Sequence, residues 1–334
     1  MKRKLPITLV LSLLLIIAGC ARLPQSSEPA STPAESVDAV SQGDRISVVS
    51  TLFPPYDFAR QIAGDHAEVT LLLPAGSESH TYEPTPQDIL RIQNCDIFLY
   101  IGGESETWVK EVLDSMDTSH MRVIRLMDCV GALTEEIVEG MEAHEEEHAG
   151  GPGADTDEPA YDEHIWTSPK NAILMSNTIA SALEAADPAH ADAYRANADA
   201  YLQQLEDLDA AFRQIAATAK RHTLVFGDRF PFRYFADAYG FSYYAAFPGC
   251  AEEAEPSAAT VAFLIDRVRA QEIPVVFYIE LSNERMADTI CEATGAKKLL
   301  LHSCHNVSKN DFDSGATYVS LMRQNDENLK EAVG

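Results

Sequence analysis

Eight short apolar runs, four early and four late, limit what this chain can fold into. The first four are ISVVSTLF (46–53), AEVTLLLP (67–74), DIFLYIGG (96–103) and RVIRLMD (122–128), with FPPYDFARQIAG, PTPQDILRIQNC and WVKEVLDSM at helical spacing between them. The last four are HTLVFGD (222–228), SYYAAFP (242–248), IPVVFYIE (273–280) and KKLLLHS (297–303), separated by helical segments such as SAATVAFLIDRVRAQ and NERMADTICEATG. Strands that are apolar on both faces and alternate with helices belong in parallel sheets covered on each side. Between the two groups lie TSPKNAILMSNTIASALEAAD (167–187), opening on Thr, Ser and Pro as helix starts do, and a second helical stretch restarting at Asp187-Pro188. The expectation is an α/β chain of two lobes, each a mostly parallel sheet flanked by helices, joined by one long rigid helix. No internal repeat is visible in the sequence.

The N-terminus reads differently. In MKRKLPITLVLSLLLIIAGC, three cations precede an apolar stretch too short to span a bilayer, which is the pattern of a secretory signal over residues 1–19. IAGC also fits a bacterial lipobox, making Cys20 the expected lipid anchor. Residues 20–44 are rich in Ser, Pro, Ala and Glu, have few large apolar residues, and read as a flexible tether. The expected division of the rest is an N-terminal lobe at 45–167, a linking helix at 168–187 and a C-terminal lobe at 188–334.

Charge narrows the function classes. Taking Lys2, Arg3 and Lys4 away with the signal moves the formal charge from −27 to −30. So acidic a surface opposes nucleic-acid binding and suits cations, although solubility alone accounts for much of it. Five cysteines remain beyond Cys20, without a CxxC pair, so a zinc knuckle or thioredoxin-like motif is not expected. Residues 135–163 lose apolar periodicity and gather acids, glycines and histidines, which reads as a mobile loop with His144 and His148 as accessory cation ligands or simply solvated side chains.

Ligands of open α/β sheets bind beyond the carboxyl ends of the strands. His80 follows VTLLLP, Asp228 follows HTLVFG, Glu280 closes VVFYIE and His302 lies in KKLLLHS, while His164 stands just before the long helix.

SHTYEPTPQD (79–88), GGESETW (102–108), DEHIWTSPKNA (162–172), EPS (255–257) and GATYVSLMRQNDENL (315–329) together resemble the motifs of zinc- and manganese-binding lipoproteins that feed ABC importers. The resemblance runs from about residue 46 to the C-terminus. It implies two α/β lobes with one divalent cation between them, His80 and His164 as the two histidine ligands, and Glu280 as an acidic ligand. A third position departs: relatives carry His or Glu where this chain has VFGDRFPFRYF (225–235). Asp228 is one candidate there, its alternative being a pairing with Arg229 or Arg233. His302 or His305 in HSCHNVS (302–308) is another source of the missing ligand. Glu104 in GGESETW is a candidate for holding water near the ion, and Cys250 and Cys304, each after a strand of one lobe, are a candidate disulfide.

Imidazole and carboxylate suit Zn²⁺, and Mn²⁺ is the alternative ion. The reading adopted is an extracytoplasmic, lipid-anchored and monomeric receptor that binds no nucleic acid and passes its cation to an ABC permease. It competes with a metal-dependent hydrolase, which needs an open coordination position and a general base, and with an adhesin of the same fold. The protein is not expected to be an enzyme.

Overall fold

The computed structural model describes residues 45–141, 160–251 and 256–334. Cys20, the tether, His144 and His148 lie outside them. The early group forms β1 (Ile46–Ser50), α1 (Phe53–Ala63), β2 (Ala67–Leu71), α2 (Pro86–Gln93), β3 (Ile97–Tyr100), α3 (Thr107–Asp114) and β4 (Arg122–Arg125). Its strands pair in parallel in the order β2-β1-β3-β4, with Val48 opposite Val69 on one side and Ile97 on the other. Val48, Val49, Ile97, Phe98 and Leu99 are all buried, as strands covered on both faces require.

Two long helices follow, α4 (Pro169–Ala186) and α5 (Ala191–Thr218). Pro169 opens α4, where its missing N–H costs nothing. α4 packs on α1, β3 and α5. α5 packs on α1 and α4, and also on two helices of the later group. At one end Asn197 Nδ2 donates to the Ile62 carbonyl at 3.0 Å; further along, Asp209 accepts from the Tyr239 hydroxyl at 3.0 Å.

The later group runs β5 (Thr223–Val225), β6 (Arg229–Phe230), α6 (Arg233–Tyr239), β7 (Ser242–Tyr244), β8 (Phe247–Pro248), α7 (Ala258–Ala270), β9 (Val275–Tyr278), α8 (Arg285–Thr294), β10 (Lys297–Leu300), α9 (Lys309–Asp313) and α10 (Tyr318–Val333). β5 pairs with β7 and β9 with β10, all in parallel. A parallel bridge between Phe226 and Phe277, with Gly227 N donating to the Phe277 carbonyl at 2.8 Å, sets β5 beside β9. The resulting order, second-first-third-fourth, is that of the first sheet, so the topology repeats where the sequence does not. Gly227 is required here, since a Cβ would lie 2.6 Å from the Ala287 backbone. The two-residue pairing of β6 with β8 sets Arg229 opposite Phe247.

One buried cluster contains residues of both groups, among them Val48, Phe58, Trp166, Phe212, Phe277 and Tyr318. Three hydrogen bonds cross it: Trp166 Nε1 to the Ser303 carbonyl at 2.8 Å, Tyr318 hydroxyl to the Trp166 carbonyl at 2.7 Å, and Tyr318 N to Asp57 at 2.7 Å. No helix among the described residues is long and apolar enough to cross a membrane.

Candidate metal centre

The chain turns that follow β2, precede α4 and follow β10 bring His80, Glu163, His164 and His305 together. Each offers one ligand atom, and these atoms all lie within 4.8 Å of one another. The imidazole centroids form a near-regular triangle, with His80–His305 at 5.0 Å, His164–His305 at 5.1 Å and His80–His164 at 5.9 Å.

Each side chain is held by its own local chemistry. Downstream of His80, one oxygen of Asp88 accepts from Thr85 N at 3.0 Å, Thr85 Oγ1 at 2.6 Å and Tyr82 hydroxyl at 3.1 Å. That capping box, with Pro86 opening α2, stiffens the turn. Upstream, Glu78 Oε1 faces the amides of Ser79 and His80, while Oε2 accepts from the Arg229 guanidinium at 3.2 Å. Asp162 Oδ1 takes His164 N at 2.8 Å and lies 3.2 Å from its Nδ1, which leaves Nε2 to face the site. Gly249 lies against this ring, where a Cβ would sit 3.0 Å from Cε1 and Nδ1. Glu163 is anchored through Oε2 by the Ser105 amide at 3.1 Å, and Gly103 leaves the room its carboxylate occupies. His305 Nδ1 lies 3.4 Å from Ser79 Oγ, to which it donates when Nε2 is the lone-pair nitrogen, and the His305 amide donates to Glu280 at 3.0 Å.

These residues fit a cation. Buried polar groups are normally paired, yet His164 Nε2, His305 Nε2 and Glu163 Oε1 are buried and have no hydrogen-bond partner. All three belong to the four-residue cluster. His80, His164 and His305 border a cavity with a volume of about 20 Å³, room for a single water or ion, which is also lined by Glu78, Arg229 and Glu280.

The protonation states differ around the triangle. Burial, with the nearby His164 and Arg229, outweighs attraction to Glu163 and Glu78 and pushes the His80 imidazole down to about 4. Its 3.6 Å approach to Glu163 is then a contact of a neutral ring and not an ion pair. Burial, His80, His164 and Arg229 all push His305 well below the usual range. Burial alone would lower His164 as well, but Asp162, Glu163 and Glu135 together leave it raised. Two imidazoles are thus ready to donate lone pairs at neutral pH, and the third is held by acids.

The other residues singled out from the sequence are engaged elsewhere. Glu280 lines the cavity, but its carboxylate accepts from Ser303 N at 2.7 Å, Ser303 Oγ at 2.6 Å and His305 N at 3.0 Å. Asp228 accepts from the amides of Arg229 at 2.8 Å and Ile279 at 3.2 Å, with burial raising its carboxyl. His302 is buried, accepts Cys304 N on Nδ1 at 3.0 Å and lies outside the cluster. Of the two histidines in HSCHNVS, it is His305 that joins His80 and His164. Glu104 is exposed, whereas its neighbour Glu106 is fully buried; burial pushes Glu106 up to about 7 and its Oε2 accepts the Gly102 amide at 2.7 Å.

Cys250 and Cys304 are free thiols, as are Cys95, Cys129 and Cys291. The expected bridge is absent because the two face different surroundings. Cys304 turns into the core with Sγ near the His302 carbonyl, whereas Cys250 lies by Glu135 at the edge of the site.

One residue of the cluster went unnoticed in the sequence. Glu163 is signalled only by its place in the DEH run. Arg229, named from the sequence only as an alternative partner of Asp228, is a buried guanidinium bonded to Glu78 and to the Ala251 carbonyl.

Two parallel sheets of matching strand order, with imidazoles and a carboxylate converging beyond their strand ends, define an α/β protein built to capture one small cation. The profile of the family described as "Zinc-uptake complex component A periplasmic" matches residues 48–332, and the chain belongs to this family. Members are binding components of uptake systems and not enzymes. The high-affinity zinc uptake system protein ZnuA of Bacillus subtilis is 32% identical over 321 residues, 96% of this chain and 97% of that protein. The zinc-binding lipoprotein AdcA of Streptococcus pneumoniae is 32% identical over 289 residues, 86% of this chain but only 56% of AdcA. The crystal structure of the Zn(II)-bound ZnuA-like domain of that AdcA aligns with a TM-score of 0.71 at 31% identity, covering 87% of this chain and 99% of the domain.

Proposed function

We propose that this chain is the extracytoplasmic receptor of an ABC importer, capturing Zn²⁺ at His80, Glu163, His164 and His305 and delivering it to a membrane permease. The observation that carries this reading is the set of three orphaned buried atoms, on Glu163, His164 and His305, within one cluster of ligand atoms whose histidines line an ion-sized cavity. Three imidazoles and one carboxylate make a four-coordinate set suited to Zn²⁺, whereas Mn²⁺ favours oxygen-rich, six-coordinate sites. Relatives named for zinc support the same ion. In this reading Cys20 carries the lipid anchor, residues 20–44 tether a monomeric receptor, and residues 45–167 and 188–334 act as its lobes on either side of 168–187. Release to the permease would rely on proton competition for the imidazoles and on movement of the turns that carry them.

Competition titration of Zn²⁺ against Mn²⁺ on the metal-free protein tests the proposal. Preferential Zn²⁺ binding that is lost in the His80→Ala/His164→Ala double variant is the expected result. Unchanged zinc affinity in that variant would refute the site, and a preference for Mn²⁺ would refute the choice of ion.

A further inference from the structure

The resemblance to metal receptors makes Glu280 a cation ligand, but its surroundings in this chain give it other work. We propose that Glu280 is a positioning residue: its carboxylate locks the turn at 302–305 and thereby aims His305 at the cation. This rests on the reading of His305 as a zinc ligand.

The geometry carries the assignment. A carboxylate has about four acceptor positions. In Glu280, Oε1 takes Ser303 Oγ at 2.6 Å and His305 N at 3.0 Å, and Oε2 takes Ser303 N at 2.7 Å. Both oxygens are therefore engaged by the turn, which takes three of those positions, and Glu280 is not among the four residues whose ligand atoms converge. The turn needs such a brace. Cys304 sits at φ +62°, a left-handed conformation disfavoured for residues with a Cβ, and it lies between the two residues that donate to Glu280. Successive backbone amides around an αL residue form a concave anion-binding nest, and here Glu280 fills it from the end of the neighbouring strand β9. Leu281, the residue after Glu280, is also left-handed at φ +60°, so a left-handed residue stands beside the partners on each side of the contact. With the turn fixed, His305 Nε2 is buried and left without a partner on the site.

A double-mutant cycle separates a brace from a ligand. Zinc affinity would be measured by chelator competition for the wild type, Glu280→Ala, His305→Ala and the double variant. Glu280→Ala is expected to weaken binding by roughly 10- to 100-fold, the usual range for residues that orient metal ligands. Once His305 is gone, removing Glu280 should cost little more. Additive losses, with the double variant weaker by the product of the two, would overturn the proposal and make Glu280 a ligand.

Glu280→Gln covers the case in which the alanine variant does not fold, which the thermal melt of the metal-free protein shows. Its remaining carbonyl oxygen can still accept from His305 N, so it should recover part of the lost affinity. Its Co²⁺-loaded form should keep the wild-type visible spectrum, and a changed ligand-field band would contradict the brace. If His305→Ala alone leaves zinc affinity intact, the ligand reading itself fails and this role fails with it, a result distinct from additivity.

Discussion

The two sides of the metal centre are built by different means. His80 and His164 are held by residues close to them in sequence: the Thr85–Asp88 capping box five residues on, Glu78 two residues back, and Asp162 two residues back. His305 is held by Glu280, 25 positions away, by Ser79, 226 positions away, and through Asn306, whose amide donates to Pro74 and Ser77 across 232 and 229 positions. Locally determined ligands stay attached to a readable motif. A ligand fixed by distant contacts has no such motif beside it.

The largest effects should show that the two sides matter equally despite this difference. His164→Ala and His305→Ala are each expected to lower zinc affinity by roughly 100- to 1,000-fold, about a quarter of a structural zinc binding energy apiece. Isothermal titration of the two variants checks this. A loss confined to His164→Ala would break the comparison.

Protonation should then set the two sides apart. His164 is raised, so below its pKa a proton competes and zinc affinity should fall by up to about tenfold per pH unit. His80, at about 4, and His305, lower than usual, are already neutral and add nothing to that slope until the pH nears 4. About one proton should leave per zinc bound at a pH about one unit below the His164 pKa, measurable in buffers of differing ionisation enthalpy. For the metal-free fold the signs are opposite. The depressed His80 favours folding above its unfolded value, about 6.5, and loses that contribution as pH falls toward 4. The raised His164 contributes below about 6.5 and loses its share as pH rises through its folded pKa.

Smaller changes sharpen the picture. Gly249→Ala places a methyl 3.0 Å from the His164 ring and from the Phe230 carbonyl, and should cost about 1 kcal/mol, several-fold in zinc affinity. Arg229→Met should raise the pKa of both His80 and His305 in the metal-free protein, because the guanidinium lowers both. Histidine ring shifts followed by NMR across pH report that change, and unaltered titrations would show that Arg229 does not act on the far side of the site.

This contrast also explains what could be read in advance. The strands, the helices from FPPYDFARQIAG to GATYVSLMRQNDENL and the parallel pairing were legible because periodicity is local. The recurrence of strand order in the second sheet was not, since β5 and β9 meet through a single bridge at Phe226 and Phe277. SHTYEPTPQD announced a stiff turn, and Asp88 and Thr85 make it one. HSCHNVS announced two histidines without saying which faces the ion. That choice depends on the left-handed Cys304 and on Glu280, neither of which leaves a mark in the spacing. The Cys250–Cys304 pairing failed on the same ground, since strand order placed the residues but not the direction of their side chains.

X-ray absorption at the zinc edge, on the zinc-loaded wild type and His305→Ala, tests the central claim most directly. Three imidazole nitrogens and one carboxylate oxygen are expected, falling to two imidazoles when His305 is removed. Two imidazoles in the wild type, unchanged by His305→Ala, would contradict it.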